Sequence, residues 1–257
     1  MNITERRMRV MAQLQKDRVV TIEKLAGQLG VSSMTVRRDL QLFIDQGLAA
    51  PTHGGARLLT TAAEPSFETK AACGLPAKQA IGRLAAGLVD DGDTIIIDCG
   101  TTTLQILRYL QAKRVTVITN SVPVISAVSG LKSIRLIVAP GEYVLTSAGM
   151  FGTLTIDFFS RIHADKVFVG AHGCSLADGV TEPTLLDAGT KKALTAAGKH
   201  KFLLADATKF EHTCLAAHGP LSQFDAIITD DAMDAAYRRR LAAVCRLHVA
   251  PAVGPRG

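Results

Sequence analysis

Six short apolar runs constrain this chain more than any other feature. They are Thr94–Ile97, Val115–Thr119, Ile134–Val138, Lys166–Val169, Phe202–Ala205 and Ala226–Thr229, with amphipathic stretches between most of them. A strand buried on both faces reads as a nearly continuous apolar run, and parallel strands need a crossover, usually a helix, between them. The alternation therefore implies an α/β fold, a parallel sheet with helices on both faces. At 257 residues the chain can bury a full core, in one or two domains.

The residues after each run are small, polar or flexible. The segments are Asp98-Cys99-Gly100-Thr101-Thr102-Thr103, Asn120-Ser121, Pro140-Gly141, Gly170-Ala171-His172-Gly173, Asp206-Ala207-Thr208-Lys209 and Asp230-Asp231. Open parallel sheets hold ligands outside the carboxyl ends of their strands, near a topological switch point. Gly100–Thr103 is the strongest piece. Glycine permits close backbone approach, three hydroxyls can donate, and a helix expected from Leu104 to about Leu110 would aim its amides at an anion such as phosphate. Plain N-capping by threonine gives the same pattern. There is no P-loop and no G-x-G-x-x-G, so nucleotide hydrolysis and dinucleotide binding find no support.

The first 58 residues read differently. Thr4 to about Gln15 has Val10, Met11 and Leu14 on one helical face and Arg6, Arg7 and Arg9 mostly outward. Thr21 caps a second helix with the stripe Ile22, Leu25, Ala26 and Leu29, which Gly30 ends. A third helix is expected from about Ser33 to Gln46, capped by Ser32 or Ser33 and stopped at Gly47. Val36, Leu40 and Phe43 face its core, while Thr35, Arg37 and Arg38 lie off that stripe. Helix, tight turn and basic helix form the helix-turn-helix pattern, whose second helix meets bases and phosphates. Leu48 to Leu58 then reads as a hairpin turning at Gly54-Gly55, the wing of a winged helix. His53 and Arg57 are placed to touch phosphate, although His53 can equally pack within the hairpin. Nine Lys/Arg stand against five Asp/Glu here, and twenty against eighteen in the remaining 199 residues. The basic surplus is concentrated on the segment that reads as a DNA module.

Val31, Ser32, Thr35, Val36, Arg37, Arg38, Asp39 and Leu40, followed by His53, Gly54, Gly55 and Ala56, resemble the N-terminal domain of the DeoR family of bacterial transcription regulators. The family's basic residue before the H-G-G-A is replaced by Ala50-Pro51-Thr52, which shifts DNA contact toward Arg57 and the third helix. The resemblance continues through Lys78 and Ile81-Gly82, Asp91–Thr94, Asp98 with Gly100–Thr102, and Val117 with Thr119–Ser121. It runs on through Gly149 and Gly152, Asp165, Lys166, Phe168 and Gly170, Lys191–Ala193, Leu204–Asp206, Lys209-Phe210 and Ile228–Asp230, to about Arg240.

The resemblance implies a winged helix-turn-helix over residues 1–58, a linker over 59–76, and an effector domain over 77–257 similar in fold to sugar-phosphate isomerases. It implies double-stranded operator DNA and a phosphorylated sugar or polyol as partners, and a homodimer or homotetramer. The DNA-binding set is then Lys24, Ser33, Met34, Thr35, Arg37, Arg38, His53 and Arg57. The effector set is Lys78, Asp98, Gly100, Thr101, Thr102, Thr103, Asn120, Ser121, Gly141, Gly170, Lys191 and Lys209. Asp98 as a plain acceptor for loop amides is the competing reading, and Lys191 is preferred over Lys192 on the motif alone. Two departures bear on the ligand: Glu142 follows Gly141 where the family often has a second glycine, and Asp187 replaces the usual glutamate four residues before the lysine.

Function is expected to be repression of a sugar or polyol catabolic operon, modulated by that effector. The alternative is a sugar-phosphate isomerase with an appended DNA-binding domain. Aldose–ketose isomerisation needs a carboxylate base, and where the isomerases carry Asp-Gly-Ala-Asp this chain has Val169-Gly170-Ala171-His172. No catalytic residue and no cofactor is therefore assigned. Five scattered cysteines without a C-x-x-C pair argue for a reducing compartment and against a structural zinc. His172 and Cys174 are too few to make a metal site. No apolar run approaches a membrane span, so a cytoplasmic location away from membranes is expected.

Overall fold

Short polar side chains and one glycine set the helix ends in the first part of the chain. The computed structural model describes residues 3–45, 49–58 and 65–251, and the chain divides into two units, Met1–Gly74 and Leu75–Gly257. In the first, α1 (Ile3–Asp17) leads through β1 (Val19–Thr21) to α2 (Ile22–Leu29) and α3 (Ser33–Asp45), then to β2 (Ala49–Thr52), β3 (Gly55–Leu58) and α4 (Phe67–Ala72). The Thr21 side chain accepts from the Lys24 amide, and Gly30 takes the left-handed conformation at φ 64°. Ser32 is the cap of α3, its Oγ accepting from the Thr35 amide at 3.2 Å. The sheet order is β1-β3-β2, all antiparallel. The hairpin anticipated at Gly54-Gly55 is present, with Gly54 at φ 79°. Gly55 lies so close to β1 that a Cβ there would sit 1.9 Å from the Val20 carbonyl oxygen.

Three features differ from the sequence expectations. β1 has no signature in the sequence, because three residues carry no periodicity; it exists because β3 offers it a partner. The interval 59–76 contains α4, capped by Ser66 on the Thr69 amide; residues 59–64 of it, and the expected stop at Gln46-Gly47, lie outside the described residues. Arg6 and Arg7 do not simply point outward. Asp39 on α3 is 1 % exposed and accepts from Arg6 Nε at 2.5 Å and Arg7 Nε at 2.9 Å. Periodicity marks the apolar face of α1, but a buried carboxylate on a neighbouring helix draws cations inward whatever their phase. The remaining core of this unit is Val10, Met11, Leu14, Val20, Leu25, Val36, Leu40, Phe43, Ala49 and Ala56.

The second unit is built on seven parallel strands. In chain order these are β4 (Thr94–Ile97), β5 (Val115–Thr119), β6 (Ile134–Val138), β9 (Ala164–Gly170), β12 (Gly198–Leu204), β14 (Ala226–Asp230) and β15 (Leu247–Ala250). In space they run β15-β14-β12-β9-β4-β5-β6. Strand residues alternate between two buried clusters, as the pleat requires. Ile95, Ile97, Val117, Phe168, Leu204 and Ile228 face one cluster; Ile96, Ile118, Val167, Val169, Leu203 and Ile227 face the other. The first is covered by α5 (Leu75–Ala86), a 3-10 helix (Thr103–Tyr109) and α6 (Val122–Val128). The second is covered by α7 (Thr153–Ser160), α8 (Leu185–Ala196) and α9 (Ala235–Ala242). The expected parallel sheet with both faces covered is the observed one. The expected helix after Gly100–Thr103 is of the 3-10 type.

The sequence pattern missed β15, whose residues lie past the stretch matched to the family and, among the described residues, pair with β14 alone. It also missed the hairpin of β7 (Glu142–Val144) and β8 (Gly149–Phe151), and the small sheet of β10 (Gly173–Ser175), β11 (Gly179–Glu182) and β13 (Ala216–Gly219). All are too short to show a period of two. At the amino ends of the strands, Lys166 bridges Asp90 and Asp93, and the Asp165 carboxylate accepts from the Thr94 amide at 2.8 Å. These motif residues stitch β4 to β9. The chain winds from β4 out to β6, returns to β9 beside β4, and continues outward to β15. The switch point therefore lies between the carboxyl ends of β4 and β9.

Burial pushes the Asp39 carboxyl up, but hydrogen bonds and charge from Arg6 and Arg7 prevail and hold it below the usual range. Such a group stabilises the folded state above its unfolded value and loses that contribution as pH falls through the lowered one. Asp39→Asn should cost about 2 kcal/mol at neutral pH. In urea unfolding the gap to the parent should shrink as the pH is taken below the carboxylate range.

Candidate functional site

The face of α3 opposite its core carries Ser33, Met34, Arg37 and Arg38, all exposed, with Met34 at 59 %. Thr35 is half-buried, and its hydroxyl shares a hydrogen bond with Ser32 Oγ at 2.9 Å. Among the described residues neither Arg37 nor Arg38 is held in an ion pair. Lys24 is exposed but paired with Asp17 at 3.0 Å. His53, at the hairpin turn, and Arg57, on β3, are exposed. One residue of this face escaped the sequence reading. Gln41, exposed and one turn beyond Arg37 and Arg38, donates to Asp45 at 2.8 Å. Its spacing was available; selecting outward residues by charge passed over it.

At the switch point the strand-end residues converge around one ammonium group. Lys191, on α8 and 3 % exposed, donates to the Gly170 carbonyl at 3.0 Å. It also pairs with Asp98 at 3.3 Å and with Glu182 Oε1 at 3.1 Å. The last contact has ion-pair distance without hydrogen-bond alignment. Asp98, 0 % exposed, accepts from the Cys99 amide at 2.7 Å and the Gly170 amide at 3.0 Å. It is thus a loop acceptor. Glu182, also 0 % exposed, meets His172 Nδ1 at 2.5 Å. Burial pushes the Glu182 carboxyl up, yet Lys191 and His172 bring it below its ordinary value. Burial likewise opposes the Lys191 charge, and Asp98 and Glu182 override it.

The amides of Gly100, Thr101 and Thr102 make no hydrogen bond to another described residue, and these three residues lie over the end of β4. Thr103 is otherwise engaged: its hydroxyl donates to the Asp98 and Gly100 carbonyls at 2.9 and 2.8 Å. Ser121 caps α6 on the Val124 amide. Asn120 is fully buried; Nδ2 donates to the Met150 carbonyl at 2.9 Å and Oδ1 has no partner among the described residues. Gly141 is required by packing, since a Cβ there would lie 2.1 Å from Thr155 Oγ1. Lys78 is buried on α5, and Lys209 is half-buried at the end of a 3-10 turn (Ala207–Lys209). Lys192 is exposed, and the Thr184 hydroxyl caps α8, accepting from the Asp187 amide at 3.0 Å and donating to the Asp187 carboxylate.

The structure therefore brings Asp98, Gly100, Gly170 and Lys191 into one connected group, and gives Thr103, Ser121 and Gly141 local structural duties. The sequence reading missed Glu182 and His218. Glu182 lies in a four-residue strand buried at every position, where no amphipathic pattern exists to reveal it. His218 is 1 % exposed, shares a hydrogen bond with Thr195 at 2.9 Å, and is pushed down to about 4 by burial. Among the described residues no group of three or more His, Cys, Asp or Glu is arranged to hold a metal ion.

Comparison with known proteins gives two family matches: "DeoR-like helix-turn-helix domain" over residues 6–62 and "DeoR C terminal sensor domain" over 75–231. The chain is 32% identical to the HTH-type transcriptional regulator IolR of Bacillus subtilis (strain 168), over 85% of this chain and 87% of that one. It is 28% identical to the glycerol-3-phosphate regulon repressor of Escherichia coli (strain K12), over 90% and 92%. Against the lactose phosphotransferase system repressor of Lactococcus lactis the values are 33%, over 90% and 92%. Among solved structures, ribose 5-phosphate isomerase A from Methanocaldococcus jannaschii superimposes with TM-score 0.38 at 17% identity, over 52% of this chain and 53% of that one.

Replacing Lys191 by Met would leave two buried carboxylates facing each other without their cation. Removing one partner of a buried pair costs about 3–5 kcal/mol, and chemical unfolding should register a loss of that order. The Glu182 contribution is present above its unfolded value and vanishes as pH falls through the lowered one. The Lys191 contribution persists until pH rises through a value raised above that of an ordinary lysine. The gap between parent and Lys191→Met should thus be flat through neutrality and close on the acid side.

Proposed function

This chain belongs to the DeoR family of transcription regulators, and on that footing we propose that it represses a sugar or polyol catabolic operon and releases its operator when a phosphorylated sugar occupies the cleft between β4 and β9. The DNA half rests on one observation: Arg37 and Arg38 stand exposed on α3 and, among the described residues, without an ion pair, beside a wing that carries His53 and Arg57. Guanidinium forks suit guanine edges and phosphates, and Gln41 suits adenine. Ser33 and Met34 occupy the first turn of the same face, where base contacts are made. Lys24, already paired with Asp17, and Thr35, bonded to Ser32, contribute less. With Ala50-Pro51-Thr52 ahead of the wing turn, the phosphate contacts fall on Arg37, Arg38 and Arg57.

A single module buries little DNA, so two copies on paired half-sites, as a dimer or tetramer, match the requirement for specific binding. In the cleft, the uncommitted amides of Gly100–Thr102 suit phosphate. Asn120 Oδ1 offers an acceptor to a sugar hydroxyl, and Lys78 and Lys209 supply further positive charge. By linkage, effector and operator weaken each other by the same factor.

Binding without turnover is the reading for this pocket. Asp98 and Glu182 are buried and committed to Lys191 or loop amides. Asp206 holds Thr208, and Asp230 accepts from the Ala207 amide. None stands ready as a base. No described helix is long and apolar enough to cross a membrane, and a regulator of transcription works in the cytoplasm.

In gel shifts with the DNA upstream of its own gene, Arg37→Ala or Arg38→Ala should weaken binding about 10- to 100-fold, the range set by losing one good arginine contact; unchanged affinity would remove α3 as the reading helix. In a thermal-shift panel of sugar phosphates at about 100 times Kd, one member should stabilise the chain by about 2.7 kcal/mol. A panel in which no phosphorylated compound raises Tm sinks the sensor reading.

A further inference from the structure

Two buried carboxylates and one ammonium do not balance. Asp98 and Glu182 are 0 % exposed and both pair with Lys191. Lys191 alone can balance only one of the two, in surroundings where an uncompensated charge is costly. Titratable or charged groups that act on members of this cluster include Cys99, Cys174, His218, Lys209 and His172. Burial raises the Cys174 thiol, which stays neutral. His218 is buried and held neutral, with Nε2 on the Thr195 hydroxyl. Lys209, half-buried, acts on Cys174 and forms no ion pair with either carboxylate among the described residues. His172 is different. It lies just past the end of β9, its Nδ1 is 2.5 Å from Glu182 Oε2, and its side chain is 20 % exposed. It therefore both pairs with the cluster and reaches solvent.

We propose that Glu182 holds His172 as an imidazolium and that this is the charge met by the anionic group of the effector, so that effector binding is linked to a proton on His172. The proposal rests on reading the cleft as the effector site, and it makes the ligand class anionic; a neutral polyol has nothing for the imidazolium to meet. The sign comes from linkage. An anion beside the ring favours its protonated form, so binding takes up protons and weakens as pH rises through the titration of the ring.

The test is titration of the full chain with inorganic sulfate, which keeps its charge across the range, at about pH 6 and about pH 8. Histidine side-chain NMR is the readout, with the His172 resonances identified by their absence in His172→Gln. Expected is an imidazolium at the lower pH, a shift of its resonances on adding sulfate, and at least about threefold weaker binding at the higher pH. His172→Gln should bind weakly at both. A neutral His172 at the lower pH overturns the proposal; should His172→Gln fail to fold, His172→Asn supplies the same assignment by difference. Sulfate binding that is equal at both pH values, or that falls alike in His172→Gln, overturns the proposal and leaves the cleft as an anion site. No sulfate binding to the parent at either pH overturns the reading of the cleft together with the proposal.

Discussion

The Lys191 ammonium is the contact on which the second unit's site depends. It has three N–H donors and meets three partners from separate parts of the chain: Gly170 at the end of β9, Asp98 after β4, and Glu182 on β11. Because Lys191 sits on α8, that helix is tied to the switch point of the sheet. Asp98 is tied in turn to the Cys99 and Gly170 amides, which fixes the path of the loop and leaves the next three amides uncommitted. A buried ion network of this kind is weak evidence for extra stability over an apolar core. What it does is forbid other arrangements, since each member displaced strands a charge away from water.

The first unit solves a smaller version of the same problem. α3 must present one face outward in a fixed orientation, and Val36, Leu40 and Phe43 alone would tolerate sliding. Asp39, buried between Arg6 and Arg7, pins α3 to α1 with directional bonds. The turn into the wing is pinned sterically, by the approach of Gly55 to the Val20 carbonyl. In both units a buried charge and a glycine do the positioning, and apolar packing does the bulk of the folding.

Much of this was legible in the residues. The six apolar runs became six of the seven strands of the main sheet, because a strand buried on both faces must be apolar throughout. Thr21, Gly30 and Gly54-Gly55 marked ends and turns through local chemistry that needs no distant partner. The short strands were not legible: β1, β7, β8, β10, β11 and β13 are three or four residues long and are specified by what they pair with. Gln41 was within reach of a spacing argument. Glu182, His218 and the inward turn of Arg6 were not, because each depends on a residue far away in the chain.

The sequence by itself determined the two-part organisation, the parallel sheet with two covered faces, the basic helix of the helix-turn-helix and the family. These come from periodicity, local capping and motif, all of which act over a few residues. Only the tertiary structure decided which polar groups work together. Lys191 is held by one carbonyl and two carboxylates, Asp98 serves its own loop, Thr103 and Ser121 spend their hydroxyls locally, and His172 joins the buried cluster to solvent. The physical reason is that hydrogen bonds and ion pairs in a low-dielectric interior are settled by distance in space, to which the order of residues along a chain is only a partial guide.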